Sequence, residues 1–188
     1  MTLKYIAPLL VLSACQVNCP EDPVQDVDAI QSRLIRTDSA DLVLLQEVLV
    51  EASVQSVWHA YTTEEGWKAW ASPAVEIELR AGGSIRTHYG ADAKVGDPGT
   101  NTIHIVNYVP ERLLTLRAEV GERWPEVMKQ DSGNLMNVIV FESLGEHRSR
   151  ILSYGVGYRD SEAYDKLMEF FIPANEGLFR GLKEYLED

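Results

Sequence analysis

Along this chain the spacing of apolar residues shifts from strand-like to helical, back to strand-like, and ends in one long helical stripe. Residues 41–52, DLVLLQEVLVEA, are rich in Val and Leu and predict a first strand. Ser53 then offers an N-cap, and Val54, Val57, Trp58 and Tyr61 fall at helical spacing, which predicts a short helix. Thr62 or Thr63, followed by Glu64 and Glu65, starts a second helical turn that carries Trp67 and Trp70. From 74 to 80 the pattern alternates strictly. Val75, Ile77 and Leu79 share one face and Glu76, Glu78 and Arg80 the other, as a sheet with one dry side requires.

Ala81-Gly82-Gly83 marks a tight turn, after which residues 84–89 return as a strand. A loop dense in Gly and Pro follows, and further strands are predicted over 101–109, 112–120, 134–144 and 148–158. Residues 121–133 read as a longer connection containing Trp124, Val127 and Met128. Residues 161–187 are helical, with Tyr164, Leu167, Met168, Phe171, Leu178, Phe179, Leu182 and Leu186 on one stripe. Pro173 is expected to break or kink that helix, because it lacks an N–H and crowds the preceding turn.

The order is a strand, two short helices, the remaining strands of an antiparallel sheet of about six or seven, and a long C-terminal helix. This is an α+β pattern in which the sheet curls and the long helix lies across its concave side. Such a grip leaves space between helix and sheet.

The first forty residues are of another kind. Residues 1–14, MTLKYIAPLLVLSA, hold an apolar run far shorter than the ~20 residues needed to cross a bilayer, so they read as an export signal. Leu12-Ser13-Ala14-Cys15 is similar to the bacterial lipobox, in which the cysteine thiol is acylated and the preceding bond is cut. Cys15 is thus the candidate lipidation site; the other reading is an ordinary cleavable signal with Cys15 and Cys19 paired or free. Gln16 stands where a retention aspartate could, which favours the outer membrane of a double-membrane bacterium, with the domain facing the periplasm. Residues 15–40 read as a flexible tether, with one helical turn suggested by Val27, Ile30, Leu34 and Ile35, and residues 41–188 as the domain.

Charge narrows the partners. The 188 residues carry 17 Lys and Arg against 29 Asp and Glu, a formal net charge of −12 with no basic cluster to offset it. Phosphate backbones would be repelled, so no nucleic-acid partner is expected. With both cysteines near the N-terminus, the domain has no disulfide and no cysteine nucleophile.

Three stretches then carry a resemblance: the run from Val57 to Thr62, the pair Trp67 and Trp70, and the run from Val75 through Gly82-Gly83 to Arg86. Together they resemble the activator of heat shock protein ATPase homologue family, within the START-like or SRPBCC superfamily, over about residues 42–186. The resemblance implies a helix-grip fold with a largely apolar cavity beneath the last helix. It further implies binding of lipids, polyketides, hormones or other hydrophobic small molecules, with cyclases or hydrolases among a few members. The lipobox and tether depart from the bare domain usual in that family.

Catalytic signatures are sparse. His59, His88, His104 and His147 show no metal-ligand spacing, so no metal site is expected, and no cofactor fingerprint is present. His88 and His104 lie on candidate neighbouring strands and are the pair to inspect first. An enzyme would need polar groups converging in the cavity, for instance His88 with Arg117 or Glu119; Glu119, Glu142 and Asp131 could act as acid or base only if buried there. The aromatics and methionines are the better lead. Trp70, Trp124, Met128, Tyr164, Met168, Phe171 and Phe179 are the candidate ligand-binding residues, each equally readable as plain core. The expected function is a membrane-tethered, monomeric module binding a hydrophobic small molecule or lipid; the alternatives are a cyclase- or hydrolase-type enzyme on a similar ligand, or an envelope structural protein.

Overall fold

The computed structural model describes residues 30–188. The signal segment, Cys15 and Cys19 lie outside the described residues. Eight antiparallel strands form one sheet in the order β1-β2-β8-β7-β6-β5-β4-β3. They are β1 (Gln31–Arg36), β2 (Asp41–Val50), β3 (Ala74–Ile77), β4 (Ser84–His88), β5 (Asn101–Val109), β6 (Leu113–Ala118), β7 (Met136–Gly145) and β8 (Arg148–Arg159). Among the described residues four helices accompany them: α1 (Val54–Thr62), α2 (Glu64–Trp70), α3 (Glu126–Asp131) and α4 (Glu162–Glu187).

The two short helices form where capping chemistry sets them. Ser53 Oγ accepts the Ser56 N–H at 3.1 Å, and Thr63 Oγ1 accepts the Gly66 N–H at 3.1 Å, so each helix starts on a hydroxyl that satisfies an orphan donor. Both tryptophans of α2 then fasten it to α1. Trp67 Nε1 donates to the Tyr61 carbonyl at 2.7 Å and Trp70 Nε1 to the Ala60 carbonyl at 3.0 Å. Between β3 and β4, Gly82 takes φ +75°, and a Cβ on Gly83 would lie 2.1 Å from the Glu78 carbonyl oxygen. Glycine is needed at both positions of this corner.

One apolar cluster joins the inward side chains of the sheet, Val48, Ile85, Leu114, Phe141 and Ile151 among them, to α1, α2 and the end of α4 through Val57, Tyr61, Trp67, Phe179 and Leu182. A second gathers Leu42, Leu44, Met128, Leu135, Tyr164 and Met168 where α3 and the start of α4 meet the sheet. The long helix therefore touches two packed regions, one near each of its ends.

Four expectations are corrected. The end of the supposed tether is β1, paired with β2 from Gln31 opposite Glu47 to Arg36 opposite Leu42, and the suggested helical turn does not form there. Leu34 and Ile35 remain exposed, so no apolar helical stripe is buried; the backbone instead completes the outer edge of β2. The sheet consequently has eight strands, one more than the upper expectation. The connection 121–133 contains α3, whose Met128 is buried. Finally, α4 runs through Pro173 without a break. Pro173 and Glu169, four residues before it, are both exposed, so water can satisfy the carbonyl that loses its partner.

Candidate functional site

Between α4 and the inward face of the sheet lie two adjoining lobes. The first, of about 170 Å³, is walled by Leu44, Val120, Trp124, Met128, Leu135 and Phe171 together with Tyr158. The second, of about 250 Å³, is walled by Tyr61, Trp67, Trp70, Ile103, Leu178 and Phe179. Ala118, Asn137, Ser153 and Asn175 line both, so the lobes meet at a shared waist that is largely polar. Each lobe alone is below the roughly 300 Å³ at which small-molecule sites usually begin, and only a molecule using both reaches that range.

The waist arises from polar residues at inward positions. On β2 the inward series is Leu42, Leu44, Gln46, Val48 and Val50, and Gln46 is 1% exposed. Asn137 and Ser153 face inward from the register-paired strands β7 and β8, and Asn175 interrupts the apolar stripe of α4. Ser153 Oγ donates to Asn137 Oδ1 at 2.9 Å. Asn175 Nδ2 donates to Gln46 Oε1 at 2.8 Å, Gln46 Nε2 to Ser32 Oγ at 3.0 Å, and Ser32 Oγ to Glu176 Oε1 at 2.7 Å. A partly buried polar chain therefore runs from α4 through β2 to β1 and back to α4.

The titratable groups at the lobes are phenols. Burial pushes the Tyr61 hydroxyl well above its ordinary range and raises that of Tyr158. Both stay neutral at physiological pH. Neither lobe is lined by Asp, Glu, Lys, Arg or His.

Of the seven residues expected to contact a ligand, Trp124, Met128 and Phe171 line the first lobe, and Trp70 and Phe179 the second. Tyr164 and Met168 do not line either. They are 0% and 1% exposed, packed in the second core cluster, and the Tyr164 hydroxyl donates to Asp131 Oδ2 at 2.8 Å. Burial, then that hydrogen bond, raise the Tyr164 pKa. Gln46, Asn137, Ser153 and Asn175 were not expected; a polar residue interrupting an inward or core-facing series is the signal that could have found them.

The candidate acid and base groups do not converge on the cavity. His88 is held by its own loop, its Nδ1 accepting from the Gly90 N–H at 3.0 Å and its Nε2 lying 3.3 Å from the Pro98 carbonyl. His104 stands opposite Arg117 in the register and 3.6 Å from Glu119, on a solvated surface. His88 pairs instead with Ala74, so the two histidines do not form a site. Glu142 is bridged to Arg150, and Asp131 to Arg159 and Tyr164. Among the described residues no group of three or more His, Cys, Asp or Glu side chains could hold a metal, and no helix is long and apolar enough to cross a membrane.

Comparison with known proteins adds a family and a fold. The profile of the family described as "Activator of Hsp90 ATPase homolog 1-like protein" matches residues 51–187. No curated protein matches the chain in sequence. Similar solved structures include the Aha1 dimer of Colwellia psychrerythraea, with 14% identity and a TM-score of 0.61 over 77% of this chain and 96% of that one. CalU16 of Micromonospora echinospora is similar at 18% identity and a TM-score of 0.59, over 86% of this chain and 76% of that one. A norcoclaurine synthase of Thalictrum flavum, in complex with a transition-state analogue, is similar at 14% identity and a TM-score of 0.51, over 84% of this chain and 97% of that one. At these identities the likeness is one of fold.

Proposed function

Because the chain belongs to the Activator of Hsp90 ATPase homolog 1-like family, within the START-like superfamily, we propose that it binds a hydrophobic small molecule or lipid in the cavity between sheet and α4. The observation that carries this reading is the pair of lobes walled by aromatic and aliphatic side chains and joined at one waist. Burying apolar surface there supplies about 25 cal/mol per Å², and the rings of Trp70, Trp124 and Phe171 offer broad, stiff contact faces. Native mass spectrometry after gentle purification tests it: a retained apolar molecule is expected, and an empty protein that takes up no apolar compound contradicts it.

The alternative, a cyclase- or hydrolase-type enzyme on a similar ligand, loses the residues named for it. The cavity offers neutral amides, a hydroxyl and phenols, with the pKa values of Tyr61 and Tyr158 raised by burial, and general acid–base work at neutral pH needs a group that titrates near that pH.

The reading extends to the N-terminus. Cys15 in the lipobox-like Leu12-Ser13-Ala14-Cys15 carries the lipid, and residues following it hold the domain at the periplasmic face of a bacterial outer membrane. Replacing Cys15 with Ser tests this part separately. The wild-type protein is expected in the detergent phase of a phase-separation assay and the variant in the aqueous phase; equal partitioning removes the anchor but leaves the cavity reading intact.

A further inference from the structure

The polar groups at the cavity are not all engaged. Asn137 accepts from Ser153 through Oδ1, and its Nδ2 has no hydrogen-bond partner among the described residues. Asn175 donates through Nδ2 to Gln46, and its Oδ1 has none. Tyr61 is 3% exposed, and its hydroxyl likewise has none. None of these atoms is sealed off, since among the described residues the buried side-chain atoms without a partner are Thr87 Oγ1 and Arg148 Nε, so each opens onto the cavity that it lines and is available to a polar atom of a ligand. Asn137 Nδ2 can donate to a carbonyl, Asn175 Oδ1 can accept from a hydroxyl, and Tyr61 can do either in the larger lobe.

Charge sets the second constraint. With no ionisable acid or base other than tyrosine lining either lobe, a carboxylate, phosphate or ammonium drawn inside would lose its hydration and meet no opposite charge. That loss outweighs what one neutral hydrogen bond returns. Shape sets the third: apolar walls lie on both sides of the waist, so apolar parts of the occupant extend in two directions from its polar group.

We propose that the cavity selects an uncharged molecule with two apolar arms joined through a carbonyl or hydroxyl group, one arm in each lobe and the polar group at Asn137 and Asn175. This rests on the cavity being a ligand site. It excludes free fatty acids and anionic headgroups from the interior and favours ketones, neutral esters and alcohols.

Calorimetric titration of the full chain at pH 8 with three matched probes tests it. Benzophenone has two aryl arms about a carbonyl, diphenylmethane lacks the carbonyl, and para-benzoylbenzoate adds a carboxylate. Benzophenone is expected to bind about fivefold to tenfold tighter than diphenylmethane, the range one net hydrogen bond supplies. The carboxylate is expected to bind at least about a hundredfold more weakly than benzophenone. Asn137→Leu should abolish the preference for benzophenone over diphenylmethane, with circular dichroism verifying the fold; Asn175→Leu should weaken benzhydrol, the alcohol counterpart, more than benzophenone. Equal binding of benzophenone and diphenylmethane by the wild-type protein would overturn the polar waist. Equal binding of the carboxylate would overturn the neutral selection while leaving the ligand site standing. If none of the three binds, the ligand site itself fails and this inference with it.

Discussion

Asn175 on α4 donates a hydrogen bond to Gln46 on β2 at 2.8 Å, with Gln46 1% exposed. This polar tie joins α4 to the sheet at the waist between the two apolar lobes. A buried amide with its partners in place contributes modestly, but one left without them costs its full desolvation.

That asymmetry predicts a non-additive pair. Asn175→Leu should lower stability by about 1–3 kcal/mol, because it leaves the buried Gln46 Oε1 without its donor, and Gln46→Leu should cost less at the half-buried Asn175. The double variant should lose less than the sum, by about 1 kcal/mol of coupling. Urea denaturation of the four proteins measures it, and strict additivity would separate the two side chains.

Alkaline pH should weaken the fold through Tyr61. Burial raises its pKa above the ordinary 10.0, so above that pH the unfolded chain releases a proton that the folded chain retains. The unfolded state then binds fewer protons, and stability that is full below pH 10.0 falls as pH rises through it. Tyr61→Phe should flatten the fall between about pH 9 and pH 11. Tyr158 and Tyr164, raised in the same direction, should leave a residual slope.

The α1–α2 corner should reject any side chain at Gly66. A Cβ there would lie 2.6 Å from Ala60 Cα and 2.7 Å from its carbonyl oxygen, both backbone atoms. Gly66→Ala is expected to cost about 1–3 kcal/mol by overpacking. Gly133→Ala, with nothing within 4 Å of the new Cβ, should stay within about 0.5 kcal/mol of wild type, and thermal melts compare the two.

Core and lining residues should separate by what they impair. Met168→Ala removes a side chain that is 1% exposed and should cost about 2–5 kcal/mol of stability. Trp124→Ala, on the lobe wall, should instead reduce ligand affinity by more than it reduces stability. Paired melting and titration experiments read both quantities, and the reverse ranking would exchange the roles assigned to these residues.

The frame was legible where local chemistry and period agreed. Ser53 and Thr63 caps, the alternation through Val75 and Ile77, and the stripe of α4 each predict the element that forms. β1 was not legible, because Leu34 and Ile35 stay exposed and the strand is held by the edge of β2 rather than by a buried face. The aromatic walls at Trp124 and Phe171 could be anticipated from type and position, whereas Tyr164 and Met168 share α4 with Phe171 and differ from it in tertiary depth. The waist was visible in outline as polar interruptions at Gln46 and Asn175, but their meeting across the cavity depends on sheet curvature and helix placement.

The central claim, that an apolar molecule enters between sheet and α4, is tested most directly by irradiating the protein with benzophenone and mapping the covalent adducts by tandem mass spectrometry. Adducts are predicted on lining residues, with Met128 and Met136 the foremost targets, and blocked by Ala118→Trp at the waist. Adducts confined to exposed Phe170, Val109 and Leu144, and unaffected by that substitution, would contradict it.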